Sequence, residues 1–217
     1  MYNSLTVEKS VISGMNYLAH LYLSGEDESI LVGNFIGDYV KGNQYQQFPL
    51  AVQTGVLLHR QIDWFTDRHP LVKDCASRFK TNYGRYSGIV TDVIFDHFLA
   101  VGWRNYSIYP LRQFSKHVHA ILLSNFNLLP LRVKLFLPFL IQHKRLESYA
   151  GLEGIWQSLA IMGRRTSLPE EADFALDVLR QDYDLIKREF EVFFADLVDF
   201  VESNFEVEIK KPADNRL

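Results

Sequence analysis

The stretch LAVQTGVLLHRQIDWFTD, residues 50–67, decides how this chain folds. On a helical wheel of about 100° per residue with His59 at zero, Asp63 falls at about 40° and Asp67 at about 80°. Val52 and Val56 fall at about 20° and 60°, on the same stripe. Leu57, Leu58, Ile62, Trp64 and Phe65 cover most of the remainder. A helix that is apolar nearly all round is a buried helix. His59 and Asp63 are therefore expected to point inward or into a cleft.

A second stretch repeats the problem. In IVTDVIFDHFLAV, residues 89–101, Asp92 and Asp96 share a face, and everything else is apolar apart from Thr91 and His97. His97 is turned about 100° from Asp96. A buried lone carboxylate costs on the order of several kcal/mol. It must pair with a base, take up a proton or bind a metal. Arg60 and Arg104 are too few to neutralise both pairs. A divalent cation does so in one step, and a set of His nitrogen and Asp oxygen suits Mn, Fe, Zn or Mg, with oxygen-rich sets leaning to Mn or Mg.

Two more polar residues stand in apolar surroundings. In GNFIGDYVKGN, residues 33–43, Asp38 is the only acid, and Asn34 precedes it by four positions on the same face. Gly33 and Gly37 point to close approach of another helix. His20 is the one ionisable group of NYLAHLYL, residues 16–23. Taken singly, His20 reads as a hydrogen-bonded core residue, Asp38 as an ion-pair or helix-end residue, and Asp67 as a solvated or capping one. The His59–Asp63 and Asp92–Asp96 pairs together read as a metal or catalytic site.

The whole chain supports one all-α domain. It has 217 residues, 47% hydrophobic and 23% charged, with 16 Phe, 11 Tyr and 3 Trp to fill a core. Helical periodicity predicts helices near 16–23, 28–40, 49–68, 70–82, 87–105, 110–125, 130–147, 152–163 and 169–204, with Pro70, Pro110, Pro130 and Pro169 in first turns. The domain is expected over 15–205, followed by a polar tail, 206–217, that frays. A net charge of −3 argues against a broad nucleic-acid footprint. Cys75 is the sole cysteine, so no internal disulfide and no cysteine-built zinc site is expected. The N-terminal sequence has no secretory h-region, and LFLPFLI (135–141), the densest apolar run, is far short of a membrane span. A cytoplasmic setting is the expectation. The pattern leaves the oligomeric state open.

The basic clusters HKR (143–145) and GRR (163–165) read either as solvated helix ends, favourable to the helix dipole, or as a docking patch for an acidic partner.

Five stretches carry a resemblance: MNYLAHLYLS (15–24), GNFIGDYVKGN (33–43), GVLLHRQIDWFTD (55–67), DVIFDHFLA (92–100) and MGRR (162–165). In this order and spacing the chain resembles the acyl carrier protein phosphodiesterase family. The resemblance implies a multi-helix bundle that is a distorted relative of the HD phosphohydrolases. It implies manganese-dependent cleavage of the phosphodiester between 4′-phosphopantetheine and a serine of holo-acyl carrier protein. The His and Asp positions that match are His20, Asp38, His59, Asp63, Asp67, Asp92, Asp96 and His97. The family pattern begins near Met15, so residues 1–14 look like an extension outside the core. In some relatives a His stands at the position of Tyr22.

Together, the residues and the resemblance assign Asp38, His59, Asp63, Asp92 and Asp96 to one or two metal ions, manganese first, with magnesium or iron as alternatives. His20 or His97 would be the acid for the leaving serine oxygen, Arg60 a phosphate contact, and Asn34 and Asp67 supports. Lys144, Arg145, Arg164 and Arg165 would meet the acidic carrier protein. Two other readings remain open at this level: a phosphohydrolase acting on a small phosphodiester or nucleotide, and a non-enzymatic helical module that binds acyl carrier protein.

Overall fold

The structure is a computed structural model and describes residues 17–212. The expectation for residues 1–14 falls outside that range. Within it, eleven α-helices follow one another with no strand: α1 Tyr17–Tyr22, α2 Glu28–Ile36, α3 Leu50–Thr66, α4 Pro70–Tyr83, α5 Ser87–Val101, α6 Leu111–Ser124, α7 Leu131–Gln142, α8 Arg145–Ser148, α9 Leu152–Arg165, α10 Ala172–Gln181 and α11 Tyr183–Asn204. The all-α class is as expected. Among the described residues no helix is long and apolar enough to cross a membrane.

Helix starts follow local chemistry. Asp27 caps α2, its side chain accepting from the backbone N–H of Ser29 at 2.8 Å and of Ile30 at 3.0 Å. Pro70 is the first residue of α4, and Pro110 and Pro130 stand just before α6 and α7. Pro169 does not open a helix; α10 begins at Ala172.

Two expected helices are each broken in two. The 130–147 segment stops at His143, because Lys144 takes a left-handed backbone with φ 47°. The 169–204 segment breaks at Asp182. There Arg78 of α4 faces Asp182 at 3.5 Å and grips Glu189 with two hydrogen bonds of 2.6 and 2.9 Å. The apolar period runs through the break, which is why the sequence shows one helix. The break turns α10 toward α4 and α9 while α11 crosses α3, α4 and α5.

α2 and α3 pack along their length. A β-carbon on Gly33 would overlap the Val52 carbonyl, and one on Gly55 would overlap the Ile30 carbonyl, so the two glycines let the backbones touch. α5 lies in the centre, with ten of its residues from Val90 to Ala100 buried. Its Phe95 and Phe98 pack on Phe190 and Phe193 of α11. The tail does not fray at once: Val207 and Ile209 are buried, Lys210 pairs with Glu26, and Lys211 pairs with Glu202.

Candidate metal centre

One cleft, about 290 Å³, gathers the polar residues of the apolar helices. α1 supplies His20, the 3-10 turn Gly37–Tyr39 supplies Asp38, α3 supplies His59, Asp63 and the adjoining Asp67, and α5 supplies Asp92 and Asp96. Phe190, Phe193, Phe194 and Leu197 of α11 close the other side. Among the described residues, five carboxylates and two imidazoles line it, with no Lys or Arg.

His20 and His59 stack with ring centroids 4.2 Å apart. Each turns Nε2 to a different oxygen of Asp63, both at 3.3 Å. Asp38 Oδ1 lies 3.5 Å from the same His59 nitrogen. Gly37 makes this possible, because a β-carbon there would overlap the His59 ring.

The tautomer of His20 follows from its neighbour. Asn34, fully buried, donates through Nδ2 to the His20 carbonyl at 2.7 Å and to Ser24 Oγ at 3.0 Å. Its Oδ1 must then face His20 Nδ1, 2.9 Å away, and accept its proton. Nε2 is left with a lone pair aimed at a carboxylate oxygen. Two acceptors facing each other at 3.3 Å need a proton or a cation between them.

His59 shows the same need. Among the described residues neither of its ring nitrogens has a hydrogen bond of good geometry, although both are buried. Burial alone would hold its pKa down, but Asp38 and Asp63 outweigh burial and raise it. Burial likewise opposes the charge on Asp38 and Asp63, yet the imidazoles hold both carboxyls below the usual range.

The α5 carboxylates differ from each other. Asp96, 1% exposed, accepts from the backbone N–H of Leu18 and of Ala19, both at 2.9 Å, and so pins the first turn of α1 beneath His20. Burial pushes it up to about 7, against the pull of those two N–H groups and of His20. Asp92 has no hydrogen bond or ion pair among the described residues. Burial, then the charge of Asp63, pushes it up to about 8.

These features fit a divalent cation. His20, His59 and Asp63 each offer a ligand atom, and all three atoms lie within 4.8 Å of one another. The donor set is imidazole nitrogen and carboxylate oxygen, in a lining with an excess of negative charge.

Comparison with known proteins shows the family of this chain. A family profile described as acyl carrier protein phosphodiesterase matches residues 15–197. The chain belongs to that family. It is 36% identical over 154 residues to the acyl carrier protein phosphodiesterase of Yersinia pestis, covering 70% of this chain and 79% of that one. It is 34% identical over 186 residues to that of Serratia proteamaculans, covering 85% and 96%. It is 36% identical over 152 residues to that of Photorhabdus laumondii, covering 70% and 77%. No solved structure matches.

Within this acyl carrier protein phosphodiesterase family member, the structure brings His20, Asp38, His59, Asp63, Asp67, Asp92 and Asp96 to one cleft and sets His97, Arg60 and Arg145 apart from their expected places. His97 is not at the cleft: it is 2% exposed, its Nδ1 donates to the Tyr149 carbonyl at 2.7 Å, and its Nε2 lies 3.1 Å from Tyr183 Oη. One residue past Asp96, it is carried about 100° round the helix, away from the cleft. Arg60 does not line the cleft. Its Nη2 donates to the carbonyls of Val40 at 2.9 Å and Gly42 at 2.7 Å, with the guanidinium over Tyr45, so it ties down the loop after Asp38. Arg145 cannot meet a partner: it is 2% exposed and donates to the Gly154 carbonyl and to Ser158. Lys144, Arg164 and Arg165 are exposed.

His20, expected as an acid, stands instead with His59 and Asp63. Tyr22 does not line the cleft; it donates to the Tyr106 carbonyl at 2.9 Å and packs on Trp103 and Phe194. The aromatic wall from α11 was not singled out from sequence. Its Phe190, Phe193, Phe194 and Leu197 have the spacing of any core-facing stripe.

Proposed function

We propose that this chain hydrolyses the phosphodiester joining 4′-phosphopantetheine to a serine of holo-acyl carrier protein, leaving the apo protein. Family membership supports the substrate. The convergence of His20 Nε2, His59 Nε2 and Asp63 on one point supports the metal dependence. In this reading those three residues hold the cation, manganese as the resemblance implies, with Asp38, Asp92 and Asp96 completing its surroundings. When bound, the cation supplies Lewis-acid activation of water and of the phosphodiester oxygens.

The other roles belong to the chain. Asn34 holds the His20 ring in the tautomer that leaves Nε2 free. Asp96 fixes α1 so that His20 faces α3. The aromatic wall of α11 limits water around the reacting centre. With His97 turned away, Asp67 is the carboxyl outside the ligand set that can return a proton to the departing serine oxygen. It lies on the cleft lining, and burial with the nearby Asp63 raises its pKa. Arg164 and Arg165, exposed at the end of α9, are in place to steer an acidic protein. The setting is the cytoplasm, which suits the free, buried Cys75.

A rate comparison between holo-acyl carrier protein and a panel of small phosphodiesters, with manganese and with EDTA, tests this. Manganese-dependent preference for the carrier protein is expected. Equal or better turnover of a small diester would give the site a different substrate.

A further inference from the structure

Charge is segregated along this chain. From His97 to Leu146 there is no Asp or Glu, although the chain carries 26 of them. The same segment holds Arg104, Arg112, Lys116, Arg132, Lys134, Lys144 and Arg145. It also holds eight of the thirteen exposed large hydrophobic residues among those described. An acid-free segment in a net acidic protein, apolar on its solvent side, is not an ordinary solvated face.

Five of those residues form one surface where α6 passes into α7. Leu123 lies in the last turn of α6, Phe126 and Leu128 lie in the connecting turn, and Leu131 and Leu135 stand one helical turn apart on α7. Leu131 is 72% exposed and Leu135 is 56% exposed, while Val133, Phe136, Leu137 and Leu140 on the other face of α7 are buried. Lys134 joins turn to helix, its Nζ 3.2 Å from the Asn127 carbonyl and 5.3 Å from the Phe126 ring centre. Arg132 is exposed beside Leu131.

The buried face of α7 leads back toward the cleft. Phe136 packs on Tyr17 with ring centroids 5.9 Å apart, and Tyr17 Oη is hydrogen-bonded to Tyr39 Oη at 2.8 Å. Tyr39 follows Asp38 in the turn that lines the cleft. On the exposed side of α7, Arg132 is near enough for its charge to act on Tyr39, so a partner docked there is held toward the site.

We propose that the α6–α7 surface of Phe126, Leu128, Leu131, Arg132, Lys134 and Leu135 docks an acidic amphipathic helix of the carrier-protein substrate. This rests on the proposed function for the identity of the partner. The leucines and Phe126 take the apolar stripe of that helix, and Arg132 and Lys134 meet the carboxylates that flank it. Position toward the cleft favours a protein whose bond is cut there over an anionic membrane, which would need no such proximity.

The test is a binding titration of apo-acyl carrier protein, which has nothing to hydrolyse, against the full chain and two double variants. One is Leu131→Glu with Leu135→Glu; the other is Arg132→Glu with Lys134→Glu. Leu131, Arg132 and Leu135 are exposed and Lys134 is half-buried, so helicity and melting temperature are measured beside binding and are expected to match the parent. Binding weakened about tenfold or more in both variants is expected. Unchanged binding in both overturns the proposal. So does a parent chain that ignores the carrier protein but binds phosphatidylglycerol vesicles through these residues. If the parent binds apo protein through these residues but leaves holo protein uncut, the surface stands and the reaction is withdrawn. If holo protein is cut and binding is indifferent to both variants, the reaction stands and the surface is withdrawn.

Discussion

The rings of His20 and His59 lie one over the other, 4.2 Å between centroids and 25° between planes. They come from helices nearly forty residues apart in sequence and reach the same carboxylate, Asp63, by different oxygens. Two imidazoles stacked this closely cannot both be charged without cost unless a carboxylate sits between them. A cation at their shared Nε2 edge removes the need for either proton.

His20→Ala and Asp63→Asn should each abolish stoichiometric manganese binding and lower kcat by about 10²-fold or more. Elemental analysis of protein purified without chelator, with initial rates beside it, checks this. Full metal content in both variants contradicts the ligand set.

Asn34→Leu keeps the volume but removes the group that fixes the His20 ring. Manganese affinity should fall by about 10- to 100-fold, the range for partners that orient a ligating His. A manganese titration followed by electron paramagnetic resonance reads it. Unaltered affinity would leave Asn34 a purely structural residue.

Two glycines should fail differently. Gly55→Ala overpacks the α2–α3 crossing and should cost about 1–3 kcal/mol of global stability, read by denaturant unfolding. Gly37→Ala meets the His59 ring instead, so metal binding should fall more than stability does.

Stability of the metal-free protein should depend on pH in a definite direction. Asp92, Asp96 and His59 have raised pKa values, so each stabilises the fold in its protonated form. That contribution is full below the unfolded values, about 4 for Asp and about 6.5 for His. It is lost as pH rises through about 7 for Asp96 and about 8 for Asp92. Asp38 and Asp63, with lowered values, stabilise the fold above about 4 and lose that effect in acid. The melting temperature should therefore fall between pH 5 and 9. Asp92→Asn should flatten the slope, and excess manganese should raise the melting temperature more at pH 8 than at pH 6. A melting temperature that climbs over this range contradicts the picture.

Asp67→Asn should lower kcat by about 10²-fold while metal content stays whole, as loss of a proton donor does. His97→Gln should keep kcat within a few-fold and instead lose about 1–3 kcal/mol of stability, since it strips a partner from the buried Tyr149 carbonyl. The reverse outcome would return the acid role to His97.

The helices were legible because their apolar period is strong, and the His59–Asp63 and Asp92–Asp96 pairs because they break that period. Asp38, His59, Asp63, Asp92 and Asp96 do meet at one cleft. His20 reads from sequence as an acid, whereas the structure stands it beside His59 and Asp63, and nothing in α1 says that Asn34 takes one of its nitrogens. His97 and Arg60 looked functional because they adjoin site residues, but a helix carries each neighbour about 100° away. Arg145 looked like surface because the chain around it is basic, whereas the left-handed turn at Lys144 folds it inward against α9. The break at Asp182 was invisible because the tie from Arg78 comes from a distant helix.

The central claim is the reaction at this cleft. Intact mass of holo-acyl carrier protein, before and after incubation with this protein and manganese, tests it most directly. Loss of one phosphopantetheine, prevented by EDTA and by Asp63→Asn, is the predicted result. An unchanged mass with a metal-loaded, folded protein would contradict it.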